Sequence, residues 1–478
     1  MTPSTDADLV VVGCGPVGVM AALRARQHGL SVIALDRAVE VYPLPRAIGM
    51  DDEIQRLFAT AGLLDGLRDC STPMGGAEFL DRHGSRVIGI ELPDGHVGAN
   101  GHPPVVAFDQ PRLERLLRAA AIDAGADLRL GAEVIAIDGT TLTLADGSTL
   151  TGRWIVGCDG ARSTIRRLLG VELVDQGFDE QWTVVDTTLL DPELPLSRLA
   201  TQHCDPARVI TYVPGHADRR RWEFQFLPGD TPDEMADPER IAALLSPWGT
   251  PEQLRVDRIA VYRFHATVAQ TLRRGDVFLA GDSAHQMPPF NGQGMCSGMR
   301  DVDNLVWKLG AVAAGHAHDR LLDTYDTERR PHASGQVEHA VDAGRLINAI
   351  AEGGADEFEA GYGGGRPFPH LESGFRSGAA RAVGRPFPQP VDEGGGFDRR
   401  LGPGFALVTT ADTHLPPDTL AAWEGIGTRR VDADPDHFPG LVEPDTVVVV
   451  RPDRYVAAVT DDLVGTTAEL ASLGLVTA

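Results

Sequence analysis

An apolar run, Leu9 to Val12, passes straight into Gly13-Cys14-Gly15-Pro16-Val17-Gly18. No other feature constrains the fold as tightly. A strand that ends in glycines and turns at once into a helix leaves bare backbone N–H groups at the helix N-terminus, where the peptide dipoles favour a phosphate. Pro16 suits a first helical turn and Gly29 a C-cap. The next apolar run, Ser31 to Leu35, ends in Asp36, 23 positions after Gly13. That is the distance at which an acidic residue meets the ribose hydroxyls of a dinucleotide. The glycines alone would fit an ordinary tight turn. Strand, turn, helix and Asp36 together predict a βαβ dinucleotide-binding opening, without choosing between NAD and FAD.

At 478 residues the chain is too long for one common domain. Alternating residues from Val134 to Ile155 predict antiparallel strands. The stretch Gln181 to Phe264 reads as a β-sheet, with Trp222, Phe224 and Phe226 alternating against Arg221, Glu223 and Gln225. These aromatics suit either a core or a pocket wall, and Arg219-Arg220-Arg221 suits a solvated hairpin. Asp276 to Ala280 predicts another buried strand. After it, Met295, Met299, Val302, Val306 and Leu309 keep a helical period. Between Glu352 and Gly404 glycine and proline dominate, which predicts a linker or extended arm. Phe405 to Val408, a helix near Asp418 to Trp423, and paired strands at Thr446–Val450 and Tyr455–Val459 then predict a small α/β unit.

Charge and cysteine content narrow the partners. With 43 Lys and Arg against 68 Asp and Glu the net charge is −25, so nucleic acid and anionic membranes are excluded as expected partners. The five cysteines (Cys14, Cys70, Cys158, Cys204, Cys296) form no C-x-x-C, which predicts neither disulfides nor a metal site. With no signal-peptide pattern or apolar span, a cytoplasmic location is expected.

Two more segments, Cys158-Asp159-Gly160-Ala161-Arg162-Ser163 and Gly281-Asp282-Ser283-Ala284-His285, each close a strand. Together with the first motif and Pro45-Arg46-Ala47, they resemble the fingerprint of the single-component FAD aromatic hydroxylases, the para-hydroxybenzoate hydroxylase group, over about the first 345 residues. Within that group, Pro45 to Glu53, Gln181 to Asp186, Gly292 to Asp301, Asn304 to Leu309 and Tyr325 to Arg330 resemble the branch acting on 3-(3-hydroxyphenyl)propionate. The C-terminal unit resembles the thioredoxin-like appendage of phenol hydroxylase relatives, although no C-x-x-C is present to give it redox chemistry.

The resemblance implies an α/β (α+β) architecture: a Rossmann-like FAD-binding domain over 1–75, 102–178 and 272–350, and an inserted β-sheet substrate domain over 76–101 and 179–271. A linker over 351–403 and a thioredoxin-like domain over 404–478 would follow. It implies non-covalent FAD held by Gly13, Gly15, Gly18, Asp36, Arg37 and Arg46. Gln110, Gly281 and Asp282 would lie near the ribityl chain, and Asp159 near the pyrophosphate and a passing nicotinamide. Pro289, Gly292, Gly294 and Met295 would lie beside the isoalloxazine. His285 is expected to be structural, and the motif cysteines small apolar neighbours of the cofactor.

The activity implied consumes NADH or NADPH and dioxygen and hydroxylates a small phenolic substrate through a flavin C4a-hydroperoxide, with a possible homodimer as the assembly. Arg221 is the first candidate for the flavin or a substrate carboxylate, and Tyr212 and Tyr262 are candidates for the phenol. A plain nicotinamide dehydrogenase would not need the Gly281-Asp282 segment, and no halogenase Trp-x-Trp-x-Ile-Pro string occurs. A polyketide-tailoring or Baeyer–Villiger oxygenase, or a flavoprotein scaffold, remains as an alternative.

Overall fold

The computed structural model describes residues 5–353, 369–390 and 396–476. One sheet is built on the buried strand Ala7–Val12, which pairs in parallel with Val32–Asp36 on one side and Thr149–Gly157 on the other. These strands read as continuous apolar runs because the sheet is covered on both faces. Val277–Leu279 joins parallel to Thr149–Gly157, so the chain re-enters this sheet after a long excursion. The hairpin Val134–Asp138 and Thr141–Leu144 lies antiparallel at its margin.

The excursion forms a second eight-stranded sheet centred on Leu173–Leu189, Arg219–Gln225 and Leu254–Ala269. Its register sorts side chains onto two faces. Tyr212 stands opposite Trp222 and packs with it, Phe224, Met235, Ile241 and Leu245 under the helix Pro238–Leu245. The alternating aromatics are therefore core. On the other face Trp182 lies opposite Gln225 and Tyr262, and Asp186 opposite Arg221 and Arg258. This charged face turns toward the first sheet.

The third unit is a four-stranded sheet in the order Arg429–Asp432, Ala406–Thr409, Val447–Val450, Val456–Thr460. Its first pair is parallel and the others antiparallel. With helices Pro417–Gly425 and Leu463–Ser472 it has the thioredoxin-like arrangement. Phe405, Leu407 and Trp423 share one core cluster with the first sheet.

A fully buried ionic cluster reinforces the join. Glu328 accepts from Lys308 Nζ at 2.8 Å, Arg451 Nη2 at 2.9 Å and Asn304 at 2.7 Å, and Arg451 also holds Asp453 at 2.6 Å. Burial opposes ionisation of Glu328, yet Arg451 and Lys308 prevail and hold its pKa near 2.

The expectation of a loose arm does not hold over the described part of that stretch. Leu371, Phe375, Val383 and Phe387 are buried, and Phe387 packs on Phe397 and Phe438 with ring centroids 5.7 and 5.0 Å away. Proline and glycine report irregular backbone, and here the aromatics between them supply the burial. The run Gly363-Gly364-Gly365 and the first Arg-Pro-Phe-Pro, at Arg366, lie outside the described residues. Among the described residues no helix is long and apolar enough to cross a membrane.

Candidate active site

The glycine turn is a backbone cradle. Gly13 has φ +104°, and a Cβ there would stand 2.4 Å from the Cys158 carbonyl oxygen; one on Gly18 would stand 1.9 Å from the Gly13 oxygen. Both glycines are demanded by close packing. A Cβ on Gly15 would meet nothing within 4 Å, so this glycine faces open space at the uncapped start of helix Pro16–Gln27. Asp36 is locked beside it, accepting from Cys14 N at 2.6 Å and Ala38 N at 2.8 Å. Arg37 follows it, exposed.

The second wall is the turn Gly281–Ser283. Asp282 is solvent-accessible but sits in a concavity whose burial raises its pKa, ahead of the opposing pull of His285 and Arg46. His285 Nε2 lies 2.7 Å from Asp301, which also accepts from Gly281 N at 3.0 Å and Arg329 Nε at 2.9 Å. His285 thus fixes the turn, as a structural residue would. Helix Gly294–Ala313 starts just beyond, after Pro289 opens a short turn and Gly292 reverses it at φ +63°. A Cβ on Gly298 would lie 2.8 Å from Gly281 Cα, so this helix, which also carries Met295, is drawn against the cradle.

Two residues expected at a nucleotide are committed elsewhere. Asp159 accepts from Ser163 Oγ at 2.5 Å, Thr164 N at 2.6 Å and Ile165 N at 3.1 Å, and so organises the start of the short helix Thr164–Leu168. Gln110 Oε1 accepts from Arg46 N and Ala47 N, both at 2.7 Å, and its Nε2 donates to Glu114. Its side chain is the anchor of the strap 43–48.

The charged sheet face grips that strap from the other side. Arg221 donates to Asp186 at 2.7 Å, the Arg46 carbonyl at 2.8 Å and the Pro45 carbonyl at 3.1 Å. Arg258 bonds Asp186 at 3.1 Å, the Pro45 carbonyl at 2.8 Å and the Tyr262 hydroxyl. Arg221 is 3% exposed, so the solvated-hairpin expectation is corrected for this residue. Its guanidinium is also committed to these partners rather than open to a substrate carboxylate. Tyr262 shares this face. Tyr212 lies on the opposite one, its hydroxyl donating to the Ser197 carbonyl at 3.1 Å, which makes it a core tyrosine.

Sequence reasoning missed Asp186, Arg258 and Glu223 as site residues. Charge alternates only along Arg219, Arg221 and Glu223; Asp186 and Arg258 are single charges beside Val184 and Ala260, and they join that row only once the register is known. Glu223 makes no side-chain hydrogen bond among the described residues, and its nearest cation, Arg221 Nη1, is 4.0 Å away. Burial, ahead of the lowering by Arg221, pushes its pKa up to about 7.

Behind the strap lies a cleft of about 210 Å³ bordered by Pro45, Arg112, Arg115, His216, Arg219 and Arg220. It is a cationic recess on a strongly acidic chain. The five cysteines are free thiols, and burial first and Asp36 second raise the Cys14 pKa to about 12, far from a reactive thiolate.

Residues 6–340 match a family model described as FAD binding domain. The chain belongs to this family and is a FAD-dependent aromatic hydroxylase. Two similar proteins, from Mycobacterium sp. (strain JLS) and Burkholderia cenocepacia (strain HI2424), are both named 3-(3-hydroxy-phenyl)propionate/3-hydroxycinnamic acid hydroxylase. Each is 33% identical, over 94% and 95% of this chain and 86% and 94% of the relative. Aklavinone-11 hydroxylase, solved with FAD and aklavinone, shares the fold at TM-score 0.82 and 23% identity over 99% of both chains. The anhydrotetracycline hydroxylase OxyS from Streptomyces rimosus aligns at TM-score 0.75 and 26% identity over 95% of both.

The cradle fits FAD on its own geometry. An open glycine at a helix N-terminus suits the pyrophosphate, a fixed carboxylate at a strand end suits the ribose, and an accessible carboxyl within a walled concavity suits the ribityl hydroxyls.

Proposed function

We propose that the chain is an NADH- or NADPH-consuming monooxygenase that hydroxylates a phenolic acid, 3-(3-hydroxyphenyl)propionate or a close analogue, beside its existing hydroxyl. The observation that carries this reading is the 33% identity, over nearly the whole chain, to relatives bearing that substrate in their names. The proposed division of labour gives the FAD to segments 1–75, 102–178 and 272–350 and the aromatic substrate to the sheet of 76–101 and 179–271.

When bound, FAD supplies hydride acceptance and dioxygen activation. In this reading the N–H groups around Gly13, Gly15 and Gly18 bind the pyrophosphate, Asp36 orients the adenosine ribose, and Arg37 and Arg46 add cationic contacts. Asp282 orients the ribityl chain. Pro289, Gly292, Gly294 and Met295 border the ring, where the start of helix Gly294–Ala313 favours negative charge. Arg221 and Arg258 hold the strap through the Pro45 and Arg46 carbonyls. Phe290, packed on Trp182 and Phe178 with centroids 5.4 and 5.8 Å away, closes the sheet side against water. The arginine cleft behind the strap receives the anionic part of the nicotinamide nucleotide, which binds transiently.

The test is paired turnover of the acid and of 3-ethylphenol, which lacks the carboxylate. Stimulation of NAD(P)H oxidation far stronger with the acid is expected. Equal stimulation by both would move the reading to a neutral phenol or a larger aromatic such as those handled by the polyketide hydroxylases.

A further inference from the structure

We propose that Glu223 is the group that takes the proton from the substrate's phenol hydroxyl. The inference rests on the phenol-hydroxylating reading above. It starts from an anomaly: a buried carboxyl, 5% exposed, with no hydrogen bond from any described residue. Its oxygens are not among the described side-chain atoms that are both unpaired and sealed from solvent, so the carboxyl opens on a space that a bound molecule can reach.

The position of Glu223 says what that molecule is. On its own strand, Arg221 to one side ties the sheet to the strap through the Pro45 and Arg46 carbonyls. Gln225 to the other side ties it to helix Asp323–Glu352, donating to Asn348 at 3.3 Å and to Glu180 at 3.1 Å. Phe290, from the turn that precedes the glycine-rich helix start, rests on Trp182 of the same face. Glu223 therefore stands midway between the strap and that helix, on the sheet face that turns toward the cradle. Its neighbours in register, Val184 and Thr211, offer it no charge; Thr211 Oγ1 is spent on Gln202. The charged groups acting on it are Arg221 and Asp186; on the same face, Arg258 and Tyr262 stand one strand beyond Asp186, Glu180 lies beyond Gln225, and Arg46 lies on the strap. Asp186 is spent on both Arg221 and Arg258, which leaves Glu223 as a carboxylate of this face with no hydrogen-bonded partner among the described residues.

The step is a proton transfer alone. The phenol O–H bond breaks with its electron pair staying on oxygen, and an Oε–H bond forms on Glu223. The ring becomes electron-rich ortho and para to that oxygen, as attack on an electrophilic oxygen requires. Burial has brought this carboxyl close to neutrality, the range in which a general base works best at physiological pH.

The test uses the FAD-loaded protein and Glu223→Gln. Wild-type hydroxylation should rise with pH through about 7 as the carboxyl ionises. The variant should lose that rise and about 100-fold of the hydroxylation rate, and a ring-fluorinated substrate that is already ionised should recover most of it. Glu223→Asp, which keeps the carboxyl, should retain part of the rise and guards against a folding defect.

A second readout needs no turnover. The visible band of bound 4-nitrophenol reports its ionisation, and removing the neighbouring negative charge should lower its apparent pKa in Glu223→Gln. An unchanged pH profile and an unchanged nitrophenol pKa, in a wild-type background that hydroxylates phenols, would overturn the assignment to Glu223. A wild type that hydroxylates no phenol would instead overturn the functional reading, and this assignment with it.

Discussion

The cradle and the sheet face are both polar, yet they are built on opposite principles. The cradle leaves groups open: Gly15 faces space, the helix start has no side-chain cap, and the Asp282 carboxyl remains accessible. The sheet face closes its charges on one another and on the strap, with Asp186 spent on Arg221 and Arg258, while Glu223 has no hydrogen-bonded partner among the described residues. A site that receives a large anionic cofactor has its donors unpaired and preformed. In the proposed reading, the sheet face uses its ion pairs to hold geometry and keeps Glu223 for chemistry.

The contrast breaks first at the cradle. Gly13→Ala places a Cβ 2.4 Å from a backbone oxygen that cannot move away, so the purified variant should be colourless, its flavin absorbance lost on desalting. Retained yellow colour would mean that the turn is not the cofactor's seat.

Next in size is the buried cluster joining the C-terminal unit to the rest. Glu328→Gln should cost about 3–5 kcal/mol in denaturant unfolding, because it strands the buried Lys308, while Arg451 keeps Asp453. The Glu328 pKa is depressed in the folded state, to about 2 from an ordinary 4.5. Its contribution is therefore complete above pH 4.5 and lost as pH falls toward 2, and the acid limb of stability should flatten in the variant.

A smaller effect separates holding from binding. Arg221→Met leaves Arg258 to neutralise Asp186, so the loss should be about 1.5–3 kcal/mol, with FAD retained and turnover reduced equally for the acid and for 3-ethylphenol. A selective loss for the acid would restore Arg221 as a carboxylate reader. The smallest expected change is Arg115→Ala in the exposed cleft, which should raise the KM for NAD(P)H roughly two- to threefold at low salt and vanish at high salt.

The same contrast explains what the sequence disclosed. The cradle was legible because backbone-built sites need particular residues at fixed local spacing: Gly13, Gly18 and Asp36 are dictated within one βαβ unit. The three larger sheets and the late return of Val277–Leu279 followed from apolar runs in order. Asp159 is committed to the helix start four to six residues on, and Gln110 to a strap more than 60 residues away, a pairing that no local pattern encodes. The roles of Arg221, Arg258 and Glu223 depend on the pairing of three strands, and Tyr212 and Tyr262 fell on opposite faces for the same reason. The arm misled because glycine and proline content describes backbone freedom, whereas Phe375 and Phe387 decide burial.

The most direct test of the central claim is stoichiometry. The FAD-loaded protein is given 3-(3-hydroxyphenyl)propionate, NAD(P)H and dioxygen, and dihydroxylated product is counted against nucleotide oxidised. The account expects near one-to-one coupling and little nucleotide oxidation without the acid. Oxidation that is indifferent to the acid, or that ends wholly in hydrogen peroxide with no hydroxylated ring, would contradict it.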